Sequence, residues 1–173
     1  MNFINPSEIL NQVPLRSNMI AADFGSGSGG WVIPLARKLE EGRVYAIDLM
    51  REPVSALIGK ANQERLLNIE TVVSNVEGKE GSGLRPEFCD LVLMTNLLFE
   101  CENKKKVLEE GKRVLKPEGL LLVVDWKTNT PFGPNGGKIS AEEVKKIANE
   151  MGFKTEKEFD AGNYHYALVF KKT

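Results

Sequence analysis

The stretch AADFGSGSGGWVIPLA, residues 21–36, places four glycines and two serines between an apolar run and an amphipathic one. The apolar run, residues 19–24, is short and continuous, which is typical of a strand buried in a parallel sheet. Residues 30–42 form a predicted helix, with Pro34 near its start, where a missing N–H costs least, and Gly42 as its predicted end. The stretch therefore predicts a strand, a glycine loop and a helix in succession.

Strand and helix patterns alternate along the rest of the chain. Further strands are predicted at 43–49, 69–75, 88–96, 120–126, 153–160 and 164–172, and further helices at 5–13, 52–66, 103–115 and 140–151. This alternation favours an α/β fold with a doubly wound, mostly parallel, Rossmann-like sheet of seven strands and helices on both faces. A tight turn at Ala161 and Gly162 joins the last two strands as a C-terminal hairpin, which adds one antiparallel strand.

Local signals define the ends of several elements. Asn5 or Ser7 can cap the first helix, and Ser140 with Glu143 forms a possible capping box before the last one. A turn at residues 117–119 is expected to lead into the fifth strand. Residues 1–173 are predicted to form a single domain, with residues 1–15 as an N-terminal helical cap.

Composition excludes several functional classes. The formal net charge of −1 argues against a strong electrostatic grip on nucleic acid or on an anionic membrane. No signal peptide is recognised, and no apolar run approaches the roughly 20 residues that span a bilayer, so no membrane contact is expected. Cys89, Cys101 and His165 show no metal-ligand spacing, so no metal site is predicted and a reducing, cytoplasmic location is expected.

The glycine loop is the first candidate for a binding site. In a doubly wound sheet, ligands bind beyond the carboxyl ends of the strands, and glycines there let a ligand approach the backbone closely. Asp48, which ends the second strand, can accept hydrogen bonds from the hydroxyls of a ribose. On these features alone a nicotinamide dinucleotide fits as well as any other ligand, since Gly25, Gly27 and Gly30 satisfy G-x-G-x-x-G.

Asp23, two residues before the first glycine, favours a different ligand. A fixed carboxylate is a poor neighbour for a diphosphate and suits a cationic ammonium group. A ligand with both a ribose and an amino-acid end, such as S-adenosylmethionine, satisfies Asp23 and Asp48 together.

Several motifs resemble those of the class I S-adenosylmethionine-dependent methyltransferases. ADFGSGSG looks like the first motif of that family, YAID like the second, and FCDLVLMTNLLF like the fourth. RVLKPEGLLLVVD resembles the helix, turn and strand that follow. The resemblance covers nearly the whole chain and is strongest to the small-molecule group similar to ubiquinone and menaquinone methyltransferases.

The resemblance implies roles for individual residues. The methionine end of the cofactor would be held near Asp23, the glycine loop and Asn96, the ribose by Asp48, and the adenine between Leu49, Met50 and the segment after the third strand. Asn75 stands where the family often has an aspartate, and its amide oxygen can still accept from the adenine amino group. The implied cofactor-binding residues are Asp23, Gly25, Ser26, Gly27, Gly29, Asp48, Leu49, Met50, Asn75, Val76, Asn96 and Leu97.

Methyl transfer from a sulfonium is an in-line displacement that needs alignment and exclusion of water, and no nucleophile on the enzyme. The acceptor is expected above the ends of the fourth and fifth strands, beside the loop at 129–137 and the N-terminal residues 2–6. Asp125 and His165 are the candidates for a general base. Each has an alternative: Asp125 can bond the following loop, and His165 can be a structural histidine.

A small organic acceptor is the leading prediction, by elimination. In the family that this sequence resembles, an NPPY-type segment after the fourth strand marks methylation of amide or exocyclic nitrogen, and arsenic methylation uses a cluster of cysteines. Here TNLLF stands after the fourth strand, and the two cysteines do not cluster. A homodimer that completes the pocket is a further possibility. Two alternatives stay open: a nicotinamide-dependent oxidoreductase, and a binding module that holds S-adenosylmethionine without transferring a methyl group.

Overall fold

The computed structural model describes residues 4–173. The strands are β1 (Ile20–Phe24), β2 (Arg43–Asp48), β3 (Ile69–Val73), β4 (Cys89–Thr95), β5 (Leu115–Trp126), β6 (Phe153–Asp160) and β7 (His165–Lys172). The helices are α1 (Pro6–Leu10), α2 (Val32–Lys38), α3 (Arg51–Gln63), α4 (Lys104–Val114) and α5 (Ala141–Glu150). In this part of the chain, the predicted alternation of strand and helix is confirmed.

The strands form one sheet of seven, in the order β3-β2-β1-β4-β5-β7-β6. Strands β3, β2, β1, β4 and β5 pair in parallel, and β7 is antiparallel to both β5 and β6. The single antiparallel strand contributed by the C-terminal hairpin is therefore confirmed. Strand order reverses between β1 and β4, so the crevice at which such folds bind ligands lies beyond the end of β1.

Helices cover both faces of the sheet, as predicted. One apolar cluster joins the sheet to α4 and α5 through residues such as Val107, Leu108 and Val144. The other joins it to α1, α2 and α3 through residues such as Leu10 and Leu35. Burial on two faces explains the continuous apolar strands, because a parallel strand between two helical layers has no solvent-facing side.

The predicted helix caps are confirmed. The Asn5 side chain accepts a hydrogen bond from the backbone of Glu8 at the start of α1. At α5, the Ser140 hydroxyl accepts from the backbone N–H of Glu143 at 3.2 Å, and the Glu143 carboxylate accepts from the backbone N–H of Ser140 at 3.0 Å. Residues 1–3 of the predicted N-terminal cap lie outside the described range.

The predicted end of α2 at Gly42 is wrong. The helix ends at Lys38, and the buried Leu39 follows it as the C-cap. Gly42 lies in the turn before β2, where an added Cβ would strike the carbonyl group of Met19. The glycine permits this close approach of two backbone segments rather than the end of a helix.

The predicted start of the fifth strand is also wrong. β5 begins at Leu115, directly after α4, and Leu115 pairs with Cys89 before the register shifts. Glu118 has φ of +64° within this irregular stretch. Residues 117–119 therefore form a bulge inside the strand, a place where proline and glycine are tolerated, and not a turn before it.

Candidate functional site

The glycine loop leaves β1 and is fastened to the end of β2. The backbone N–H groups of Gly25 and Ser26 both donate to the carbonyl oxygen of Ile47, at 2.8 and 3.0 Å. The Asp48 carboxylate accepts from the N–H of Gly27 at 2.8 Å and from the N–H of Met50 at 2.9 Å. Asp48 therefore organises the loop, and its contact with a ribose stays a prediction.

Two glycines of the loop have different physical reasons for lacking a side chain. Gly29 has φ of +92°, and an added Cβ would collide with Leu57 of α3, so this glycine serves helix packing. Gly27 has φ of +52°, and nothing lies within 4 Å of the position that a Cβ would occupy. The open space above Gly27 is where a ligand can approach the backbone.

A cavity of about 180 Å³ lies beside the loop, at the ends of β1, β2 and β3. Predicted cofactor-binding residues lining it are Gly25, Asp48, Leu49, Met50, Asn75, Val76 and Leu97. Ser74, Glu77, Glu100 and Cys101 also line it and were not predicted. Glu77 could have been suspected as a polar residue just after the third strand, whereas the part played by Cys101 depends on a turn that the sequence pattern does not reveal.

The rim of this cavity has the character of a base-binding site. Leu49 and Met50 are 64% and 57% exposed, which is unusual for large apolar side chains. Across from them Val76 is buried, and the Asn75 amide oxygen accepts from the backbone N–H of Glu77 at 2.9 Å. An amide oxygen has a second lone pair, so Asn75 retains the capacity to accept from a ligand.

Asp23 lies at the end of β1 and is completely buried. Neither of its carboxylate oxygens has a hydrogen-bond partner within the described residues. Burial, and then the negative charge of Asp48, raises the pKa of Asp23 to about 8. A buried carboxyl group without partners is energetically costly and calls for an explanation, and the predicted contact with a ligand is one. Asp23 is not among the residues that line the cavity at the glycine loop.

Two further polar groups near the loop share this property. The Ser26 hydroxyl and the Asn96 side-chain oxygen are buried and have no hydrogen-bond partner among the residues described. Asn96 also has φ of +49°, an uncommon backbone conformation. The Leu97 carbonyl oxygen, in contrast, accepts from the N–H of Glu100 and from the thiol of Cys101. These two donors compete with the methionine amine, which was predicted to bind this oxygen.

Asp125 lies at the end of β5 with its carboxylate occupied by the backbone. It accepts from the N–H of Leu98 at 2.9 Å and from the N–H of Trp126 at 2.8 Å. Burial raises the pKa of Asp125 to about 6, against the lowering effect of these hydrogen bonds. This arrangement fits the alternative that Asp125 orders the segment after β4, rather than the role of general base.

His165 begins β7 opposite Trp126, as the predicted hairpin requires. Its ring lies 4.0 Å from the Trp126 ring, centroid to centroid, and its Nε2 is buried without a partner in the range 4–173. Burial, and then the positive charge of Lys127, lowers the pKa of His165 to about 4. The imidazole is therefore neutral at pH 7.

The loop after β5 folds over this end of the sheet. Gly137 approaches the backbone of Phe99 so closely that a Cβ there would strike the Phe99 carbonyl group. Lys138 holds the loop together by donating to the carbonyl groups of Thr130 and Phe132, at 3.2 and 3.0 Å. Phe132 is 48% exposed and its ring lies 4.8 Å from that of Tyr164. The loop thus brings aromatic side chains to the side where an acceptor is expected.

A larger hollow of about 510 Å³ lies at the opposite edge of the sheet. Four of its charged side chains pair with each other, Lys116 with Asp90 at 2.9 Å and Lys171 with Glu118 at 2.5 Å. Ligands of doubly wound sheets bind at the carboxyl ends of the strands, so the smaller cavity at the glycine loop is the candidate site.

Neither a membrane-spanning helix nor a metal-binding cluster is present in residues 4–173. They contain no helix long and apolar enough to cross a membrane. They contain no group of three or more His, Cys, Asp or Glu side chains placed to hold a metal ion.

Comparison with known proteins identifies relatives of this chain and its fold. The model of a methyltransferase domain matches residues 22–123. The crystal structure of an S-adenosylmethionine-dependent methyltransferase from Aquifex aeolicus superposes with a TM-score of 0.88 at 29% identity, covering 99% of this chain and 91% of that one. The cyclase SpnF has the same fold, with a TM-score of 0.83 at 15% identity over 96% of this chain and 79% of that one.

Among proteins of known sequence, the ubiquinone/menaquinone biosynthesis C-methyltransferase of Hydrogenovibrio crunogenus is 30% identical over 121 residues. The alignment covers 67% of this chain and 45% of that relative. The chain spans between 4% and 64% of the length of the first curated relatives that it matches.

Proposed function

Because the chain belongs to the class I S-adenosylmethionine-dependent methyltransferases, we propose that it moves a methyl group from this cofactor to a small organic acceptor by in-line displacement. The observation that carries the proposal is the buried, unpartnered Asp23 beneath an open glycine loop. A diphosphate would meet a carboxyl group there, whereas an ammonium group would be stabilised by it. This argument favours the methyl donor over a nicotinamide dinucleotide.

The residues present fit S-adenosylmethionine part by part. Asp23, Ser26 and Asn96 offer unpartnered oxygens for the ammonium and the rest of the amino-acid end. Asp48 offers its remaining lone pairs to the ribose, and the apolar rim of Leu49 and Met50 offers a surface for the adenine. When bound, the cofactor supplies a methyl group already activated by a sulfonium.

The chain's own contribution is then binding, alignment and exclusion of water. Asp48 fixes the glycine loop, which fixes the cofactor's position relative to the sheet. The loop at 129–137, packed onto Phe99, shields the acceptor side from solvent. Of the two candidates for a general base, His165 has the unoccupied nitrogen, because the Asp125 oxygens already serve backbone donors. Its low pKa makes it a weak base, so transfer to an acceptor that carries no proton on the attacked atom fits this site best.

A small acceptor is supported by the walls of the acceptor side. The ring pairs Trp126–His165 and Phe132–Tyr164 offer apolar, planar contact area near the end of β5 and the start of β7. Such surfaces bind organic molecules through apolar contact with a few polar groups. The formal net charge of −1 gives no support for a nucleic acid as the acceptor.

We infer a reducing, cytoplasmic setting from the two cysteines, which are free and buried. Burial raises the pKa of the Cys89 and Cys101 thiols to about 12. Neither is suited to act as a nucleophile, since a thiol reacts as its thiolate. The homodimer stays a prediction, and light scattering of the purified protein tests it.

Two experiments test the proposed function. Calorimetry against S-adenosylhomocysteine and NAD should detect binding of the first; binding of NAD alone would establish the oxidoreductase alternative. A screen of small organic acceptors with methyl-labelled S-adenosylmethionine should then detect transfer. Tight cofactor binding together with no acceptor in a broad screen would favour the non-catalytic binding module.

Asp48→Ala is expected to weaken S-adenosylhomocysteine binding by about 1–3 kcal/mol, because hydrogen bonds to the ribose are lost. Part of this loss comes from the loop, since the N–H groups of Gly27 and Met50 lose their acceptor. Isothermal titration calorimetry measures the change. Asp48→Asn keeps one oxygen as an acceptor and should lose less affinity. An unchanged dissociation constant in Asp48→Ala would remove Asp48 from the site.

A further inference from the structure

The surroundings of Asp23 determine its protonation state before any ligand arrives. Asp23 pairs in register with Ala46 of β2 and Leu93 of β4, so apolar residues flank it on both neighbouring strands. Its side chain is 0% exposed and neither oxygen accepts a hydrogen bond from the residues described. A carboxylate in such surroundings loses its hydration without compensation, and the neutral acid is the favoured form.

Charged groups on the elements around Asp23 do not offset this effect. On β2, Asp48 repels a second carboxylate and adds to the effect of burial in raising the pKa of Asp23, while Arg43 at the start of the strand pairs with Glu70. On α2, Arg37 pairs with Glu64 and Lys38 donates to the side chain of Asn11. On α3, Lys60 donates to the Ser28 carbonyl at 3.1 Å and serves the outside of the loop. On β4, Asp90 accepts from the N–H of Ile20 and pairs with Lys116. On β5, Asp125 accepts from the N–H groups of Leu98 and Trp126.

The ligand changes this balance. The amino-acid end of S-adenosylmethionine or S-adenosylhomocysteine carries an ammonium group at neutral pH. An opposite charge within a few ångströms of a buried carboxyl group strongly favours its ionised form. The oxygens of Asp23 are free to accept hydrogen bonds from such a group once the acidic proton has left.

We propose that Asp23 is a neutral acid in the free protein and gives up its proton to solvent when the ammonium end of the cofactor binds. The inference rests on the proposed placement of the amino-acid end at Asp23. The O–H bond of Asp23 breaks, its proton passes to the buffer, and the ammonium keeps all of its protons. Binding and proton release are therefore one coupled event, with Asp23 as the residue that selects for a cationic ligand.

The coupling fixes the sign of a pH effect. Protons compete with the ligand for Asp23, so affinity rises with pH and levels off near the pKa of the free protein's Asp23, at about 8. Below that range, release of one proton predicts an increase in affinity of about tenfold per pH unit. A ligand without an ammonium group does not displace the proton and shows no such dependence.

Titration calorimetry on the purified chain tests the coupling directly. S-adenosylhomocysteine is titrated at pH 6, 7 and 8, in phosphate and in imidazole, which both buffer over this range and whose different ionisation enthalpies reveal the number of protons released. We expect about one proton released per ligand at pH 6 and a steep rise in affinity towards pH 8. The matched ligand is 5′-methylthioadenosine, which shares the adenosine and thioether but lacks the amino-acid end. It should bind without proton release and with little change over the same pH range.

Asp23→Asn supplies the matched variant. It should release no proton with S-adenosylhomocysteine and should lose most of the difference in affinity between the two ligands at pH 8. Its retained binding of 5′-methylthioadenosine shows that the variant is folded and that the adenosine site is intact.

Three results would overturn the inference. S-adenosylhomocysteine binding without proton release would show that Asp23 keeps the same protonation state in the free and bound protein, while leaving the proposed function standing. Equal proton release with 5′-methylthioadenosine would assign the proton to another group. Failure of both ligands to bind the wild-type protein would remove the proposed function itself, and the inference with it.

Discussion

Gly27→Val is expected to abolish S-adenosylhomocysteine binding while the protein stays folded. The structure leaves the position of the Gly27 Cβ in open space, so the Cβ of a valine there meets no protein atom and the side chain fills the approach to the backbone. Valine at φ of +52° adds strain of roughly 1–2 kcal/mol, which a domain of ordinary stability survives. We expect affinity to fall by at least about 100-fold, or about 2.7 kcal/mol.

Calorimetry measures the affinity of Gly27→Val, and circular dichroism with a thermal melt measures its folding. Gly59→Ala is the control, because Gly59 also has open space at its Cβ position but lies on the exposed part of α3, away from the loop. That variant should bind normally and gain up to about 1 kcal/mol of stability from the higher helix propensity of alanine. Wild-type affinity in Gly27→Val would show that no ligand approaches the loop.

The sequence predicted this loop well because its chemistry is local. Glycines between a buried strand and a helix, with an acid at the end of each flanking strand, determine both a backbone shape and a charge pattern. The bond from Gly27 N–H to Asp48 could not be predicted in the same way. It depends on β1 and β2 lying side by side in a particular register, which is a property of the assembled sheet.

The predicted boundaries of two elements were wrong, because glycine and proline occur in several kinds of local structure. Gly42 ends no helix, because its missing side chain serves contact with the backbone of Met19. Residues 117–119 do not form a turn before β5, because they lie in a bulge within that strand. In both places the deciding partner is distant in sequence, so local propensity gave an incorrect boundary.

The acceptor side was the least predictable part of the site. The sequence placed Asp125 and His165 at the correct edge of the sheet, since β5 ends there and β7 begins there. It could not show that both oxygens of Asp125 are occupied by backbone donors, or that Gly137 packs onto Phe99. Those contacts follow from how the loop at 129–137 folds, and irregular loops carry no periodic signal.

Asp23→Asn is expected to stabilise the ligand-free protein increasingly as pH rises. In the folded chain the pKa of Asp23 is about 8, above the value of 3.8 for an unperturbed aspartate, so between these values the folded state holds a proton that the unfolded state has lost. The stability contributed by this proton is fully present below pH 4 and is lost as pH rises through 8. Asparagine has no proton to lose, so the variant escapes this decline.

Urea unfolding of both proteins at pH 5, 6, 7 and 8 measures the effect. The free energy of unfolding of Asp23→Asn, relative to wild type, should increase by on the order of 3 kcal/mol between pH 5 and pH 8. The slope is the test rather than the absolute difference, because an asparagine amide buried without partners has its own penalty of about 1–3 kcal/mol. Asp160→Asn is the control: this side chain is 77% exposed and pairs with Lys127 at the surface, so its effect should stay within about 1 kcal/mol at every pH.

The two expected properties of Asp23→Asn, higher stability without ligand and lower affinity for S-adenosylhomocysteine, have one physical origin. A carboxyl group without partners destabilises the free protein above pH 4, and the same lack of partners leaves it available to a cationic ligand. A level stability difference across pH, with affinity still lost, would mean that Asp23 is already ionised and solvated in the free protein. A rising difference with unchanged affinity would mean that the buried acid does not face the ligand, and the amino-acid end would then have to be sought elsewhere on the loop.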